Sequence, residues 1–111
     1  MGTFKLLALT KPATGREDEY NIWYDGTHVP EVLSIPGYKA AQRYKLRAPL
    51  MAGEASPYMA VYDIETDDIE ALLKEVKRRA AAGEITQSDA VDSHSNYLAI
   101  YEEFGERRFL R

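Results

Sequence analysis

The 111-residue sequence contains no cysteine and no long apolar run. Without cysteine there can be no disulfide, no thiolate metal site and no cysteine nucleophile, and nothing points to an oxidising compartment. The short apolar runs argue against a transmembrane helix, and residues 1–11 lack the basic start and apolar stretch of a secretory signal. We therefore expect a cytoplasmic protein with no membrane partner.

Positive charge is also scarce. Lys and Arg total 14 against 18 for Asp and Glu, so the formal net charge is −4. An acidic surface repels a phosphate backbone, and nucleic acid is therefore not an expected partner. The sequence has no glycine-rich phosphate loop, no dinucleotide fingerprint, no His-Glu-x-x-His motif and only two histidines. We expect neither a metal nor a cofactor.

Tyrosine, by contrast, is abundant: there are eight, beside three phenylalanines and one tryptophan. A phenol combines a large apolar ring with a hydrogen-bonding tip, so it suits both a core and a ligand site. The length fits one domain, and we expect residues 1–111 to form a single fold that buries about two-thirds of its unfolded surface.

Hydrophobic periodicity and turn residues predict the element order β-α-β-β-α-β. Strands are predicted at residues 3–10, 38–47, 58–65 and 96–104. The first helix is predicted to kink or divide near Gly26 and Pro30, and the second to follow an N-cap at Thr66 and end at Gly83. Right-handed crossovers then give an α+β ferredoxin-like fold, a four-stranded antiparallel sheet with both helices on one face.

Two segments show no clear hydrophobic periodicity. Residues 48–56 contain Pro, Gly and small side chains and are predicted to form a loop, with a lid over a pocket as an open alternative. Residues 83–95 are polar, with a short helical turn predicted near residues 85–90. His94 is expected to be an exposed loop histidine, and a second acid or base is the alternative.

Neither face of the last two strands is plainly polar. Tyr97, Ala99 and Tyr101 point one way, whereas Leu98 and Ile100 point the other. Because the helices cover only one face of the sheet, an apolar second face requires a cover. We expect a second copy of the chain to supply it, which gives a homodimer.

Several short motifs together carry a resemblance to a known family. They are Trp-Tyr-Asp and His-x-Pro within residues 19–30, Pro-Gly-Tyr at 36–38 and Arg-Tyr at 43–44. This combination resembles the dimeric α/β-barrel superfamily, particularly its EthD-like branch. The resemblance implies a ferredoxin-like monomer whose sheet packs on that of a partner, with ligands held between sheet and helices. Members include cofactor-free monooxygenases, lactone isomerases and polyketide cyclases, so the resemblance implies architecture more than reaction.

His28 is the leading catalytic candidate, because imidazole titrates near neutral pH and can take and return a proton. Asp25 is expected to orient it, since Asn21, Asp25 and His28 share a stripe within about 60° on a continuous α-helix. Tyr20 and Tyr24 flank this stripe. A kink before His28 would interrupt the regular angular spacing of side chains around the helix and leave the histidine with a structural role. The match to the family's His-x-Pro position favours function.

The predicted pocket is lined by aromatic and amide side chains. Trp23 is expected either in the core or as a pocket wall, and four tyrosines are expected on the helix-facing side of the sheet, within reach of a ligand oxygen. The predicted substrate-binding residues are Asn21, Tyr20, Trp23, Tyr24, Tyr44, Tyr62, Tyr97 and Tyr101. Arg43 is expected on the charged face of its strand, solvated or in a salt bridge.

Three functions are compatible with these features. The first is a cofactor-independent enzyme of cyclase, isomerase, lyase or monooxygenase type, acting by proton transfer on a small aromatic or polyketide-like molecule. The second is a non-catalytic binding or accessory protein for a small hydrophobic ligand, with a structural His28. The third is a structural dimer whose pocket is filled by its own side chains.

Overall fold

A computed structural model describes residues 2–110. Its strands are β1 (Gly2–Thr10), β2 (Tyr38–Lys45), β3 (Tyr58–Thr66) and β4 (Tyr97–Glu102). Its α-helices are α1 (Glu17–Trp23), α2 (Val29–Leu33) and α3 (Ile69–Ala81). A π-helical turn (Tyr24–His28) joins α1 directly to α2, and a 3₁₀ turn (Ser93–Ser95) precedes β4. No helix among residues 2–110 is long and apolar enough to cross a membrane.

The four strands form one sheet in the order β2-β3-β1-β4, and all three neighbouring pairs are antiparallel. This is the predicted α+β ferredoxin-like fold. The helices lie on one face, because side chains from α1, α2 and α3 share one buried cluster with alternate residues of β1 and β3. The most buried side chains of this helix-facing layer are Tyr20, Tyr24, Tyr62, Ile35 and Ile64.

The helical segments differ from the sequence prediction in three respects, and β2 and β4 are each shorter than predicted. The first helix does not divide at Gly26, since the π-turn carries the chain through it and Pro30 falls at the start of α2, where a missing N–H costs little. Helix α3 is capped by Asp68, whose side chain accepts from the Ala71 N–H at 3.0 Å, rather than by Thr66. Residues 85–90 form no helical turn.

The strand registers place three tyrosines on the opposite face from the one predicted. A β-bulge between Tyr38 and Ala40 reverses the alternation of β2, so Tyr44 pairs with Met59 on the outer face. Tyr97 pairs with Leu9 and Tyr101 with Lys5, on that same face. Of the four sheet tyrosines predicted to face the helices, only Tyr62 does so. The sequence pattern shows which residues alternate, but pairing with a distant strand decides which face they occupy.

The outer face of the sheet is apolar along its centre. Half-buried Leu7, Leu9, Met59, Val61 and Ala99 lie there side by side, and we call this set the outer-face stripe. No helix among residues 2–110 covers it, because all three α-helices pack on the other face. An apolar sheet face of this kind normally packs against another layer.

Gly37, in the turn before β2, provides a test of how the helix-facing core is packed. Its φ of +102° suits glycine, and an added Cβ would lie 2.6 Å from Cδ1 of the buried Leu72. We expect Gly37→Ala to lower the free energy of unfolding by about 1–3 kcal/mol through strain and a clash in the core. The measurement is urea unfolding followed by circular dichroism.

Gly26→Ala is the matched control. Gly26 lies inside the helical segment, has no positive φ, and has open space where the new methyl group would go. Removing backbone freedom at such a site should raise stability by about 0.5–1 kcal/mol. Equal effects at the two glycines would contradict this account of the turn before β2.

Candidate functional site

The π-turn brings two aromatic rings together on one side of the first helix. Trp23 and His28 are five residues apart, which on a regular α-helix would place them about 140° apart around the axis. In the wider turn their rings stack instead, with centroids 4.7 Å apart and planes inclined by 23°. Tyr24 meets His28 edge-on at 4.9 Å. Single π-turns within α-helices are rare and frequently mark functional sites.

His28 is held as a neutral imidazole. Burial lowers the pKa of His28 below its ordinary value; the Glu31 carboxylate acts in the opposite direction, and the Arg43 charge adds to the lowering. Its Nδ1 atom is buried and has no hydrogen-bond partner among residues 2–110. A neutral imidazole with an unused ring nitrogen is able to accept a proton or bond to a ligand.

A loop is fastened across this part of the helix by Glu31. The two carboxylate oxygens accept from the backbone N–H of Thr86 at 2.8 Å and from its hydroxyl group at 2.6 Å. These bonds lower the pKa of Glu31, which is therefore ionised at neutral pH. Residues 83–92 thus form a wall opposite His28, rather than a free connection.

A cavity of about 140 Å³ lies between the helix and this loop. Trp23, Tyr24 and His28 form its helical wall, and Thr86, Gln87 and Ser88 contribute from the loop. The rest of the lining comes from the sheet end and the segment before it: Thr10, Val91, Ser93, Asn96 and Leu98. The cavity brings the buried imidazole together with neutral polar groups.

Asn21 and Asp25 face a different partner. Arg43 donates to Oδ1 of Asn21 at 2.7 Å and to Oδ1 of Asp25 at 2.9 Å, and its side chain is only 16% exposed. Its guanidinium group also lies 4.4 Å from the ring centroid of Tyr24. The bulge in β2 turns Arg43 toward the helices, so the salt-bridge alternative for this residue is confirmed and the solvated one is wrong.

The predicted stripe is therefore divided. Asn21, in α1, and Asp25, at the start of the π-turn, both reach Arg43, but the extra residue of the turn sends His28 to another side. Asp25 does not orient His28 in this structure. Glu31, one turn later, is the carboxylate whose charge acts on the imidazole. Glu31 follows His28 by three residues, a spacing that makes side chains neighbours on a helix, and this is the sequence signal that points to it.

The other predicted binding residues fall into three places. Trp23 and Tyr24 line the cavity with His28. Tyr20 and Tyr62 are buried in the layer behind it, where the Tyr20 hydroxyl group hydrogen-bonds to that of Thr10. On the outer face, the hydroxyl groups of Tyr97 and Tyr101 are 2.6 Å apart, and Tyr44 lies exposed.

The loop that borders the cavity is not the one considered from the sequence. Residues 48–56 do not line it; they border grooves beside Leu9, Met59 and the exposed His94 instead. Exposure of His94 was expected and is confirmed. The only sequence signal for the true wall is the neutral polar composition of residues 86–88. Among residues 2–110, no cluster of three or more His, Asp or Glu side chains is placed to hold a metal ion.

Comparison with solved structures agrees with this architecture. The fold is similar to that of an ethyl tert-butyl ether D (EthD) family protein from Bacillus halodurans C-125, with 24% identity, a TM-score of 0.63, and coverage of 94% of this chain and 100% of that one. It is also similar to a protein from Shewanella loihica PV-4 inferred to be a monooxygenase, with 19% identity, a TM-score of 0.57, and coverage of 100% and 98%. No family model and no curated protein sequence matches.

The α+β ferredoxin-like fold of this chain is thus shared with both solved structures. The resemblance inferred from the Trp-Tyr-Asp, His-x-Pro and Pro-Gly motifs is confirmed for the fold, and the EthD family protein is one of the two neighbours that carry it.

The buried imidazole predicts a pH-dependent stability. Because the pKa of His28 is lower in the folded chain than its ordinary value of 6.5, protonation favours the unfolded chain. Stability contributed by the neutral imidazole is present above pH 6.5 and is lost as the pH falls below it, with a slope of at most about 1.4 kcal/mol per pH unit. Urea unfolding between pH 7.5 and 5 measures this slope.

His28→Gln is the comparison variant, since glutamine is polar but does not titrate. We expect its stability profile to be flatter than that of the wild type between pH 7.5 and 5. The carboxyl groups with lowered pKa, those of Glu19, Glu31, Glu75 and Asp89, titrate below this window. Parallel profiles for the two proteins would contradict a buried neutral His28.

Proposed function

We propose that the chain is a cytoplasmic, cofactor-independent enzyme of the EthD-like type that transfers protons on a small ring-containing molecule, with His28 as general acid and base. The observation that carries the proposal is the buried Nδ1 of His28, which lacks a partner among residues 2–110 and belongs to a side chain lining the cavity. A polar atom left unpaired in a protein interior is costly, by roughly 1–3 kcal/mol, and a catalytic role is one explanation for keeping such an atom.

The chemistry follows from the state of the imidazole. A neutral imidazole accepts a proton from an acidic C–H or O–H group of the ligand and returns it to another atom, which suits cyclisation, isomerisation, lysis and the first step of an oxygenation. Burial raises the pKa of both Tyr24 and Tyr62, so each phenol stays protonated near the site. The inferred monooxygenase among the structural neighbours supports this range of reactions.

A binding or accessory protein is the second candidate. It is favoured by one observation: Asp25 is committed to Arg43, and no carboxylate among residues 2–110 hydrogen-bonds to His28. In many catalytic sites that pair a nucleophile with a base, a hydrogen bond to a carboxylate or amide orients the base. In this alternative the cavity holds a small hydrophobic ligand and the histidine contributes only to its shape.

Hydrogen–deuterium exchange at the α-carbon of cyclohexanone separates the two candidates. This neutral one-ring ketone is a weak C–H acid, so exchange in D₂O, followed by ¹H NMR, reports proton abstraction directly. We expect the wild type to accelerate exchange beyond free imidazole at equal concentration, and His28→Ala to lose at least about 100-fold of that acceleration.

His94→Ala is the control, because it removes the second histidine, which is exposed and does not line the cavity. It should change the exchange rate by less than about threefold, within the range of surface electrostatic effects. Exchange no faster than with imidazole, with cyclohexanone still bound, would favour the binding protein. Full activity in a folded His28→Ala variant would contradict the assigned base.

We further propose that the chain acts as one 111-residue domain in a homodimer, with the outer-face stripe as the interface. The support is an apolar centre on a sheet face that the protein's own helices leave open, together with the superfamily fold. Burial of such a surface contributes about 25 cal/mol per Å² of apolar area, so a paired sheet face of ordinary size gives a stable dimer.

Val61→Glu tests the interface. Val61 lies opposite Leu7 in the outer-face stripe, and a charge there would be buried without a partner in the dimer. Size-exclusion chromatography with light scattering should show a wild-type dimer at micromolar concentration and a monomeric variant. Leu50→Glu, at a 97% exposed loop position, should leave the dimer intact. A monomeric wild type would refute the interface.

A further inference from the structure

The size of the cavity limits its occupant. Its volume of about 140 Å³ is close to that of the engineered 150 Å³ cavity known to hold one benzene molecule. One six-membered ring with one or two small substituents therefore fits against Trp23 and His28. A fused two-ring system exceeds this volume and would have to project past the loop fastened at Thr86 into the open side of the cavity.

The charges around the cavity limit its occupant further. Within the described part of the chain, residues 2–110, no Asp, Glu, Lys or Arg side chain lines it. The two charged groups that act on His28 are already committed, since Glu31 bonds to Thr86 and Arg43 bonds to Asn21 and Asp25. A carboxylate or phosphate entering this space would lose hydration without gaining a counter-ion, which costs several kcal/mol in protein interiors.

The polar atoms of the cavity wall limit which functional groups a ligand carries. The indole Nε1 of Trp23 is buried without a hydrogen-bond partner among residues 2–110, and indole is only a donor. Nδ1 of His28, in the ring stacked on it, is likewise unpaired. The loop side of the cavity offers hydroxyl and amide groups from Thr86, Gln87 and Ser88. A ligand oxygen is able to bond to these loop groups in place of water, whereas a hydrocarbon displaces that water without replacing its hydrogen bonds.

We infer that this cavity takes a neutral molecule of one six-membered ring carrying a hydroxyl or carbonyl oxygen, and that it rejects both charged and fused-ring ligands. The inference rests on the proposed function for the location of the site and narrows its substrate class. Multi-ring polyketides, which the superfamily resemblance allows, fall outside this class.

A single tryptophan in the cavity wall provides an NMR probe of ligand binding. Trp23 is the only tryptophan, so its indole N–H gives a single NMR signal from the wall of the cavity. Phenol, toluene, benzoate and 2-naphthol are titrated at pH 7.5 into the ¹⁵N-labelled full chain. We expect phenol to bind at least tenfold more tightly than benzoate and 2-naphthol, and at least fivefold more tightly than toluene.

A cavity-filling variant provides the matched control. Val91→Phe places a ring in the lining and should weaken phenol binding at least tenfold, whereas Leu50→Phe, at the exposed loop position, should leave it unchanged. If Val91→Phe does not fold, the four wild-type titrations still decide the matter, since they need no substitution.

The outcomes separate this inference from the proposed function. Benzoate or 2-naphthol binding as tightly as phenol overturns the size and charge argument, and equal binding of toluene overturns the need for oxygen. A signal that none of the four compounds shifts also overturns the inference. Failure of the proposed function has a different signature: phenol binds as expected, while cyclohexanone exchange is absent or persists in His28→Ala.

Discussion

One extra residue in the first helix determines the site. A regular helix would place Asn21, Asp25 and His28 on one stripe, but the π-turn Tyr24–His28 widens the helix and separates them. The first two residues then bind Arg43, while His28 stacks on Trp23 beside the cavity. This separation leaves the imidazole without a carboxylate at hydrogen-bond distance and lets burial determine its protonation state.

Two polar contacts make that geometry rigid. Arg43, turned inward by the bulge in β2, holds the first part of the helix through Asn21 and Asp25. Glu31 holds the second part through its paired bonds to Thr86, and so fixes the loop that closes the cavity. Both contacts commit charges that would otherwise be free to bind a ligand, and the described lining of the cavity is uncharged apart from the titratable His28.

The sheet separates two roles by its faces. Its helix-facing side is rich in buried tyrosines, and the site is built there from groups whose hydroxyls stay protonated. Its outer side carries the outer-face stripe, with Tyr44, Tyr97 and Tyr101 half-exposed around it. Tyrosines therefore serve both the buried layer behind the cavity and a proposed subunit contact, and strand register decides the face of those in the sheet.

The sequence determined the order of the elements, the antiparallel sheet, the polar helix α3 and the apolar character of both sheet faces, because hydrophobic period and turn residues act locally. The fold resemblance and the candidacy of His28, Trp23 and Tyr24 followed from the same local motifs. Tertiary structure alone decided that Tyr44, Tyr97 and Tyr101 point outward, that Asp25 serves Arg43, and that residues 86–88 face His28. Each of these depends on a bulge, a helical turn or a pairing with residues far along the chain, and no local pattern encodes such a contact.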